Sequence, residues 1–201
     1  MKKALLLVSI LFISVISTAC INNFAVQELN NKAKGFMDKG DYQAAIERLK
    51  SSIDLDGSVF ETRYNLAVAY TKAEDYANAV EAYNEAIKLN PDFADSYYSL
   101  AVCEENLAKD IISGLVKVNE DGSIVKTEPD DEEEPSDIKK ENKLSDSDTK
   151  MVVTLVGNSI SDYKIYLDKN SSAEDKDEVN SKIEELENLL SKYNTEIQPA
   201  E

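Results

Sequence analysis

Two consecutive segments of the chain, residues 26–59 and 60–93, carry the same pattern of small, aromatic and aliphatic residues at an offset of 34. A repeat of that length is typical of one helix–turn–helix unit of a solenoid, in which each unit contacts only its neighbours. The pattern therefore predicts an all-α fold built from stacked pairs of antiparallel helices. The matching positions are Ala33, Phe36, Tyr42, Ala45, Leu49 and Ser52 in the first segment and Ala67, Tyr70, Tyr76, Ala79, Tyr83 and Ala86 in the second.

The second segment also has the boundary signals of a helical hairpin. Asp75 predicts an N-cap for the second helix, and Asn90 before Pro91 predicts its end, because the residue before proline leaves the helical region. Together with the repeat length, these residues resemble the tetratricopeptide repeat family, except that Arg63 stands where the family usually has Trp. The resemblance is carried by Leu66, Ala67, Tyr70, Ala79, Tyr83, Ala86 and Pro91.

The resemblance implies a scaffold that binds a protein or peptide along a concave groove, lined by first-helix residues that point away from the second helix. Tyr64 and Tyr98 are flat amphipathic side chains suited to anchoring a ligand, or alternatively to packing within the groove, and both interpretations stay open. Glu61 and Asp95 favour a ligand with basic or apolar character. The groove residues implied by the resemblance are Asn30, Lys34, Glu61, Tyr64, Val68, Lys72, Asp95, Tyr98 and Val102.

One subtype of the family grips the C-terminal carboxylate of chaperones, and it needs a set of Lys, Arg and Asn side chains in this groove. Only Asn65 matches that set. Asn30, Lys34, Asp95 and Ser99 stand where the other members belong, and none of them fits. We therefore do not expect this chain to bind chaperone tails in that way.

A third copy should begin at Ala94, and its first helix is indicated by Tyr97, Leu100 and Leu107 at helical spacing. Its second helix does not follow directly, and we predict one repeat split by an insertion. The alternative is a solenoid that ends at Ala108, followed by a separate helical hairpin. The predicted divisions are residues 20–109 for two repeats and the first helix of the third, 110–148 for a largely disordered acidic insertion, 149–193 for the remaining helix and a capping helix, and 194–201 for a disordered tail.

Within the insertion, residues 114–126 predict a short β-hairpin about a four-residue turn. The block of carboxylates at 128–134 predicts an extended, mobile loop, because like charges repel and little apolar surface is available to fold. From Lys117 onward the segment also follows the spacing of a calcium loop, but lysine occupies the first ligand position, where a carboxylate is required. An envelope calcium-binding protein or enzyme acting through this insertion is the alternative function.

The last helix is predicted over residues 172–193, starting with a capping box of Ser172 and Asp175. One face is apolar and the other is charged, as a terminal repeat needs in order to close the end of a stack. The apolar face consists of Val179, Ile183, Leu186 and Leu190.

The amino terminus has two lysines, a short apolar stretch and the sequence Ser-Thr-Ala-Cys, which predict a signal peptide over residues 1–19 rather than a spanning helix. The position of Cys20 resembles a bacterial lipoprotein signal, which implies cleavage before Cys20 and acylation of that residue. Ser17 departs from the leucine usual in that motif, and an ordinary secretory peptide is the alternative. Ile21 is not the aspartate of the inner-membrane retention signal, so the outer membrane is favoured over the inner.

Composition limits the function further. The chain has 201 residues, no histidine and a formal net charge of −17. Nucleic-acid binding needs clustered Lys and Arg, so we expect no nucleic-acid partner. Without histidine or a recognisable nucleophile motif we expect neither catalysis nor a cofactor. Cys103 is expected to be a buried small hydrophobe.

Overall fold

The computed structural model describes residues 22–127 and 144–197. The predicted signal peptide, the lipidation site Cys20, the whole carboxylate block at 128–134 and the end of the predicted tail lie outside the described residues. Within the described ranges the chain forms seven α-helices and one two-stranded antiparallel sheet, which confirms the predicted all-α fold with a short hairpin. No helix in those ranges is long and apolar enough to cross a bilayer. The chain divides into two compact units, Met1–Pro91 and Asp92–Glu201.

The first unit contains the two predicted repeats as two successive pairs of helices. Helix α2 packs against α3, and α3 packs against α4. The helices are α1 over residues 22–37, α2 over Tyr42–Leu55, α3 over Phe60–Lys72 and α4 over Tyr76–Leu89.

The turns inside the two repeats are built alike. Asp41 Oδ1 accepts a hydrogen bond from the amide of Ala44, and Asp75 Oδ1 accepts one from the amide of Asn78, so the predicted N-cap at Asp75 is confirmed. The residue before each cap has a left-handed backbone, with φ of 76° at Gly40 and 55° at Glu74. Sequence and geometry therefore repeat together at the offset of 34.

The core of the first unit consists of alanines that let the helices approach closely and tyrosines that fill the remaining space. Tyr70 is 7% exposed and Tyr83 is 2% exposed, so both face the interior, as the stacked-hairpin prediction requires. Lys50 extends over the ring of Tyr70, with 5.5 Å from Nζ to the ring centroid. The alanines with almost no exposed surface are Ala33, Ala45, Ala67, Ala69, Ala79 and Ala86.

The second unit is a set of three long helices with a small hairpin. Its helix Ala94–Ser113 begins where the third copy was predicted, and Cys103 is buried within it, as expected. The elements are α5 over Ala94–Ser113, β1 over Val116–Val118, β2 over Ile124–Lys126, α6 over Asp146–Lys169 and α7 over Lys176–Ile197.

Helices α5 and α6 lie antiparallel. At one end Lys169 Nζ is 3.3 Å from Asp92 Oδ1, and at the middle Ser159 Oγ donates to the carbonyl of Ala101 at 2.9 Å. The sequence between the two helices therefore leaves and returns at the same end of the pair. Packing of α5 on α6 is what a split repeat would show, and the split repeat itself stays a prediction.

The insertion is shorter than predicted on both sides. Helix α5 continues to Ser113, because Ile111 is buried in the unit, and it ends at Gly114 with a left-handed φ of 78°. Helix α6 begins at Asp146, ahead of the predicted start at residue 149. Residues 110–127, assigned from the sequence to a largely disordered insertion, form the end of α5 and the hairpin.

The hairpin is anchored on α6 by one side chain. Val118 pairs with Ile124 across the two strands, and the amide of Val118 donates to Asp148 Oδ1 at 2.8 Å. The other carboxylate oxygen of Asp148 accepts from the hydroxyl of Ser145 at 2.6 Å and from its amide at 3.4 Å, and the amide bond completes a capping box at the start of α6. One buried carboxylate thus fixes both the helix start and the hairpin.

Helix α7 packs on α6 with the predicted apolar face. Val179, Ile183 and Leu186 are buried. The predicted start at Ser172 is wrong, because the helix begins at Lys176 and Asp175 instead accepts a hydrogen bond from the hydroxyl of Tyr166 at 3.0 Å.

Candidate peptide-binding surface

Six of the predicted groove residues lie in the first unit, on α1 and α3. None of them is buried, so all of them contribute to the surface of that unit. Lys34, Glu61 and Lys72 are exposed, whereas Asn30, Tyr64 and Val68 are half-buried.

Tyr64 combines packing with partial exposure. Its ring meets Tyr83 of α4 edge-on, with 5.7 Å between the centroids, and lies 5.8 Å from the ring of Phe60. Such edge-to-face pairs contribute about 0.5–1.5 kcal/mol beyond the area they bury. The packing interpretation of Tyr64 therefore fits these contacts, and its role as a ligand anchor stays a prediction.

Asn30 links α1 to α3. Its Nδ2 donates to Thr62 Oγ1 at 2.8 Å, and Thr62 is completely buried. The Oδ1 atom of Asn30 is also buried, and no described residue donates a hydrogen bond to it. A buried acceptor without a hydrogen-bond donor lowers the stability of the fold by about 1–3 kcal/mol.

A cavity of about 470 Å³ lies beside Asn30. One wall is a face of α1 that carries four carboxamides, and the opposite wall is formed by the connection from α2 to α3 and the first turn of α3. Its volume falls within the usual range for small-ligand pockets. The cavity is lined by Asn23, Val26, Gln27, Asn30, Asn31, Asp56, Val59 and Glu61.

The remaining predicted groove residues, Asp95, Tyr98 and Val102, lie on α5 in the second unit. Asp95 is exposed, and Tyr98 and Val102 are half-buried. The ring of Tyr98 lies 5.7 Å from that of Tyr163 and 5.1 Å from that of Tyr166, both on α6. Burial raises the pKa of Tyr98. The negative charges of Glu178, Asp175 and Glu105 raise it further, so its hydroxyl stays protonated.

Glu105 is the centre of an ionic group in the second unit. It pairs with Lys109 of its own helix and with Lys182 of α7, and its Oε2 accepts from the hydroxyl of Tyr163 at 3.1 Å. Burial opposes ionisation of Glu105, but these partners outweigh it and hold the pKa below its usual value. The hydroxyl of Tyr163 is buried beside this carboxylate, which raises the pKa of Tyr163 strongly.

Two neighbouring acidic residues were missed by the sequence reasoning. Glu104 of α5 is only 2% exposed and shares a hydrogen bond with Asp162 of α6. Burial and then the charge of Asp162 raise the pKa of Glu104 to about 9, and burial raises that of Asp162 to about 6. The available signal was the position of Glu104 on the same helical stripe as Leu100 and Leu107.

The calcium alternative rested on the turn of the hairpin. In the structure Asp121 Oδ1 accepts from the amide and hydroxyl of Ser123, and the amide of Asn119 donates to the carbonyl of Ser123. These bonds are those of a tight hairpin turn. Over residues 22–127 and 144–197, no cluster of three or more His, Cys, Asp and Glu side chains could hold a metal ion.

Comparison with protein families supports the repeats. A tetratricopeptide repeat model matches residues 60–93, which are the limits of the second predicted copy. A second tetratricopeptide repeat model matches residues 82–111. The chain therefore carries tetratricopeptide repeats. No curated protein matches the chain.

Solved structures with the same fold include several tetratricopeptide domains. The first such domain of Spaghetti (RPAP3), described as bound to the Hsp90 peptide SRMEEVD, has a TM-score of 0.54 at 16% identity, covering 83% of this chain and 93% of that one. The second domain of human RPAP3, in complex with an Hsp70 peptide, has a TM-score of 0.55 at 16% identity, covering 81% of this chain and 98% of that one. The Arabidopsis OM64 domain has a TM-score of 0.55 at 10% identity, covering 82% of this chain and 98% of that one. At these identities the likeness establishes the fold, an all-α tetratricopeptide solenoid.

Proposed function

We propose that this protein is a lipid-anchored scaffold of the bacterial cell envelope that binds another protein or a peptide through the first helices of its repeats. The observation that carries the proposal is the surface beside Tyr64. A half-exposed aromatic ring is held by Tyr83, about one turn along α3 from the exposed carboxylate of Glu61. Rigid aromatic anchors surrounded by polar groups dominate the binding energy of many interfaces.

The neighbouring structures support a peptide as the ligand. Two of them are described as complexes with chaperone peptides that end in Glu-Glu-Val-Asp. In this chain the groove positions include the carboxylates of Glu61 and Asp95, which repel an acidic tail. A ligand of basic or apolar character fits this surface better.

The proposed location rests on the sequence of the amino terminus. Cleavage before Cys20 and acylation of that residue would place α1, which is described from residue 22, close to the membrane. Several acyl chains on one residue give stable anchoring, since each buried CH₂ contributes about 0.8 kcal/mol. We place the protein in the outer membrane, within an envelope or secretion assembly.

The ligand-binding proposal is tested by a photo-cross-linking amino acid at position 64 in living cells, followed by mass spectrometry. We expect a discrete covalent adduct with one protein. The control is the same amino acid at the exposed position 81 on α4. Adducts from position 64 that match those from position 81 would remove the groove from the proposal.

The anchor is tested separately with Cys20→Ala. Wild-type protein should incorporate labelled palmitate and sediment with membranes, whereas the variant should carry no label. Label retained after the substitution would show that acylation occurs elsewhere. The variant Cys103→Ala serves as the matched control, because that thiol is buried within α5.

A further inference from the structure

We infer that the cavity beside Asn30 is a subsite for a cationic side chain of the ligand, and that it selects arginine. The inference deepens the proposed function and rests on it. It specifies which chemical group of a bound polypeptide the first repeat recognises. Three observations support it: the charge of the cavity, the buried acceptor beside it and the apolar residues in its wall.

The charge of the lining has one sign. Asp56 and Glu61 contribute two carboxylates, and the described residues that line the cavity include no lysine or arginine. Hydrogen bonds from the hydroxyl and amide of Ser58 lower the pKa of Asp56, so that carboxylate stays ionised at neutral pH. A cation is attracted into such a site, and a ligand carboxylate is repelled from it.

Beside the cavity lies a buried hydrogen-bond acceptor that no described residue satisfies. The hydrogen bond from Nδ2 to Thr62 fixes the orientation of the Asn30 carboxamide, and it leaves Oδ1 without a donor among the described residues. On the same face of α1, Gln27 Nε2 donates to Asn23 Oδ1 at 2.9 Å. Carboxylate and carboxamide side chains therefore line one volume, and a ligand group with several donors is complementary to them.

Arginine fits these acceptors better than lysine does. A guanidinium presents five N–H donors in a planar fork, whereas an ammonium is a compact point charge with three donors. The aliphatic stem of arginine also needs apolar surface, which Val26 and Val59 supply in the cavity wall. The volume of about 470 Å³ leaves room for the side chain and a neighbouring part of the peptide backbone.

The test uses fluorescein-labelled heptapeptides that differ only at the central residue, which is arginine, lysine, citrulline, norleucine or glutamate. Binding to the purified full chain is measured by fluorescence anisotropy. Citrulline keeps the shape of arginine without its charge, so it is the matched comparison. We expect the arginine peptide to bind at least tenfold more tightly than the citrulline peptide, with lysine between them and glutamate weakest.

Two variants locate the site. Glu61→Gln and Asn30→Leu should each reduce the preference for arginine over citrulline to less than threefold. Glu81→Gln, which removes one charge from the exposed surface of α4, should leave the preference unchanged. Far-ultraviolet circular dichroism verifies that each variant is folded.

Equal binding of the arginine and citrulline peptides, or no binding of either, would overturn the inference. So would an arginine preference that persists in both Glu61→Gln and Asn30→Leu. Tighter binding of norleucine would identify the cavity as an apolar subsite instead. Cross-linking from position 64 distinguishes this failure from a failure of the proposed function. If a protein partner is captured but no arginine preference is found, only the arginine subsite is contradicted and the proposed groove is not.

Discussion

Glu104 of α5 and Asp162 of α6 form a hydrogen-bonded pair of carboxyl groups in the interior of the second unit. Two carboxylates this close cannot both ionise without strong repulsion, so the pair retains a proton well above the usual range of either group. Asn158 of α6 supplies a further hydrogen bond to Glu104 and favours its charged form. Burial and repulsion outweigh it, because the pKa of Glu104 is raised to about 9.

The pair predicts that the second unit loses stability as the pH rises. Its carboxyls bind protons more tightly in the folded chain than in the unfolded one, so their contribution is complete below about pH 4 and is lost as the pH approaches 9. Urea unfolding at pH 5, 7 and 9 should therefore give decreasing free energies of unfolding. The pKa of Glu105 is shifted in the opposite direction, downward, so its carboxylate stays ionised throughout this range and does not add to the pH dependence.

Glu104→Gln is the matched variant, because glutamine keeps the shape and hydrogen-bonding capacity of the neutral acid. We expect it to flatten the pH dependence and to raise the free energy of unfolding at pH 9 by about 2 kcal/mol, the size of the penalty for an uncompensated buried polar group. A variant that retains the wild-type slope between pH 5 and 9 would contradict the assignment to this pair.

Asp148 predicts a second effect on stability. Asp148→Ala removes one half of the capping box of α6 and leaves the buried amide of Val118 without its acceptor. The two losses together should lower the free energy of unfolding by about 3 kcal/mol. Amide hydrogen exchange at Val118 should accelerate at the same time.

The control for this prediction is Asp146→Ala, which removes an exposed acid from the same first turn of α6. It should cost only about 0.5 kcal/mol, through the helix dipole. Asp148→Asn retains one acceptor oxygen and should lie between the two alanine variants. Equal effects of Asp146→Ala and Asp148→Ala would show that the hairpin does not depend on this carboxylate.

Some of these features follow from local sequence pattern, and others do not. The repeats in residues 26–93 were found because small residues and caps recur at one offset, and local pattern alone decides them. The start of α6 was missed because Ser145 and Asp148 lie in a run of polar residues that obscured the capping box. At Ser172 the same motif was predicted wrongly, since Asp175 there bonds to Tyr166 instead.

The hydrogen bonds between polar side chains of different helices could not be predicted from local sequence pattern, for a different reason. Asn30 and Thr62 are 32 residues apart, and their hydrogen bond exists only once α1 lies beside α3. Glu104 and Asp162 are on either side of the insertion in the same way. Such pairs depend on the packing of elements that the sequence places far apart, so periodicity predicts the helices but not which polar groups meet between them.

Two glycines predict opposite effects of the same substitution. Gly35 lies inside α1 with open space around an added Cβ, so Gly35→Ala should stabilise the protein by about 0.5–1 kcal/mol. Gly40 has a left-handed φ of 76°, so Gly40→Ala should destabilise it by about 1 kcal/mol although no atom obstructs the Cβ. Thermal unfolding of the two variants measures both shifts. Changes of the same sign would contradict the turn geometry.

Substitutions at Tyr64 and Tyr98 should allow the effect on ligand binding to be measured separately from the effect on stability. Each ring packs on an aromatic neighbour and keeps part of its surface exposed, so substitution by alanine should cost about 1–2 kcal/mol of folding energy. Tyr64→Phe and Tyr98→Phe keep the ring contacts and should unfold within about 0.5 kcal/mol of wild type. Partner capture is measured as the yield of adduct from a photo-cross-linking amino acid at position 68.

We expect Tyr64→Ala and Tyr98→Ala to lower that yield at least fivefold while the helical circular dichroism spectrum is retained. The matched control is Tyr97→Ala, next to Tyr98 on α5, where the ring lies under Lys169 with 5.6 Å from Nζ to the centroid. It removes an aromatic ring outside the predicted groove, so it should cost stability without reducing capture. If Tyr97→Ala reduced the yield as much as Tyr98→Ala, loss of folding would explain the effect. Undiminished capture in both groove variants would show that these rings only pack the helices and do not contact the ligand.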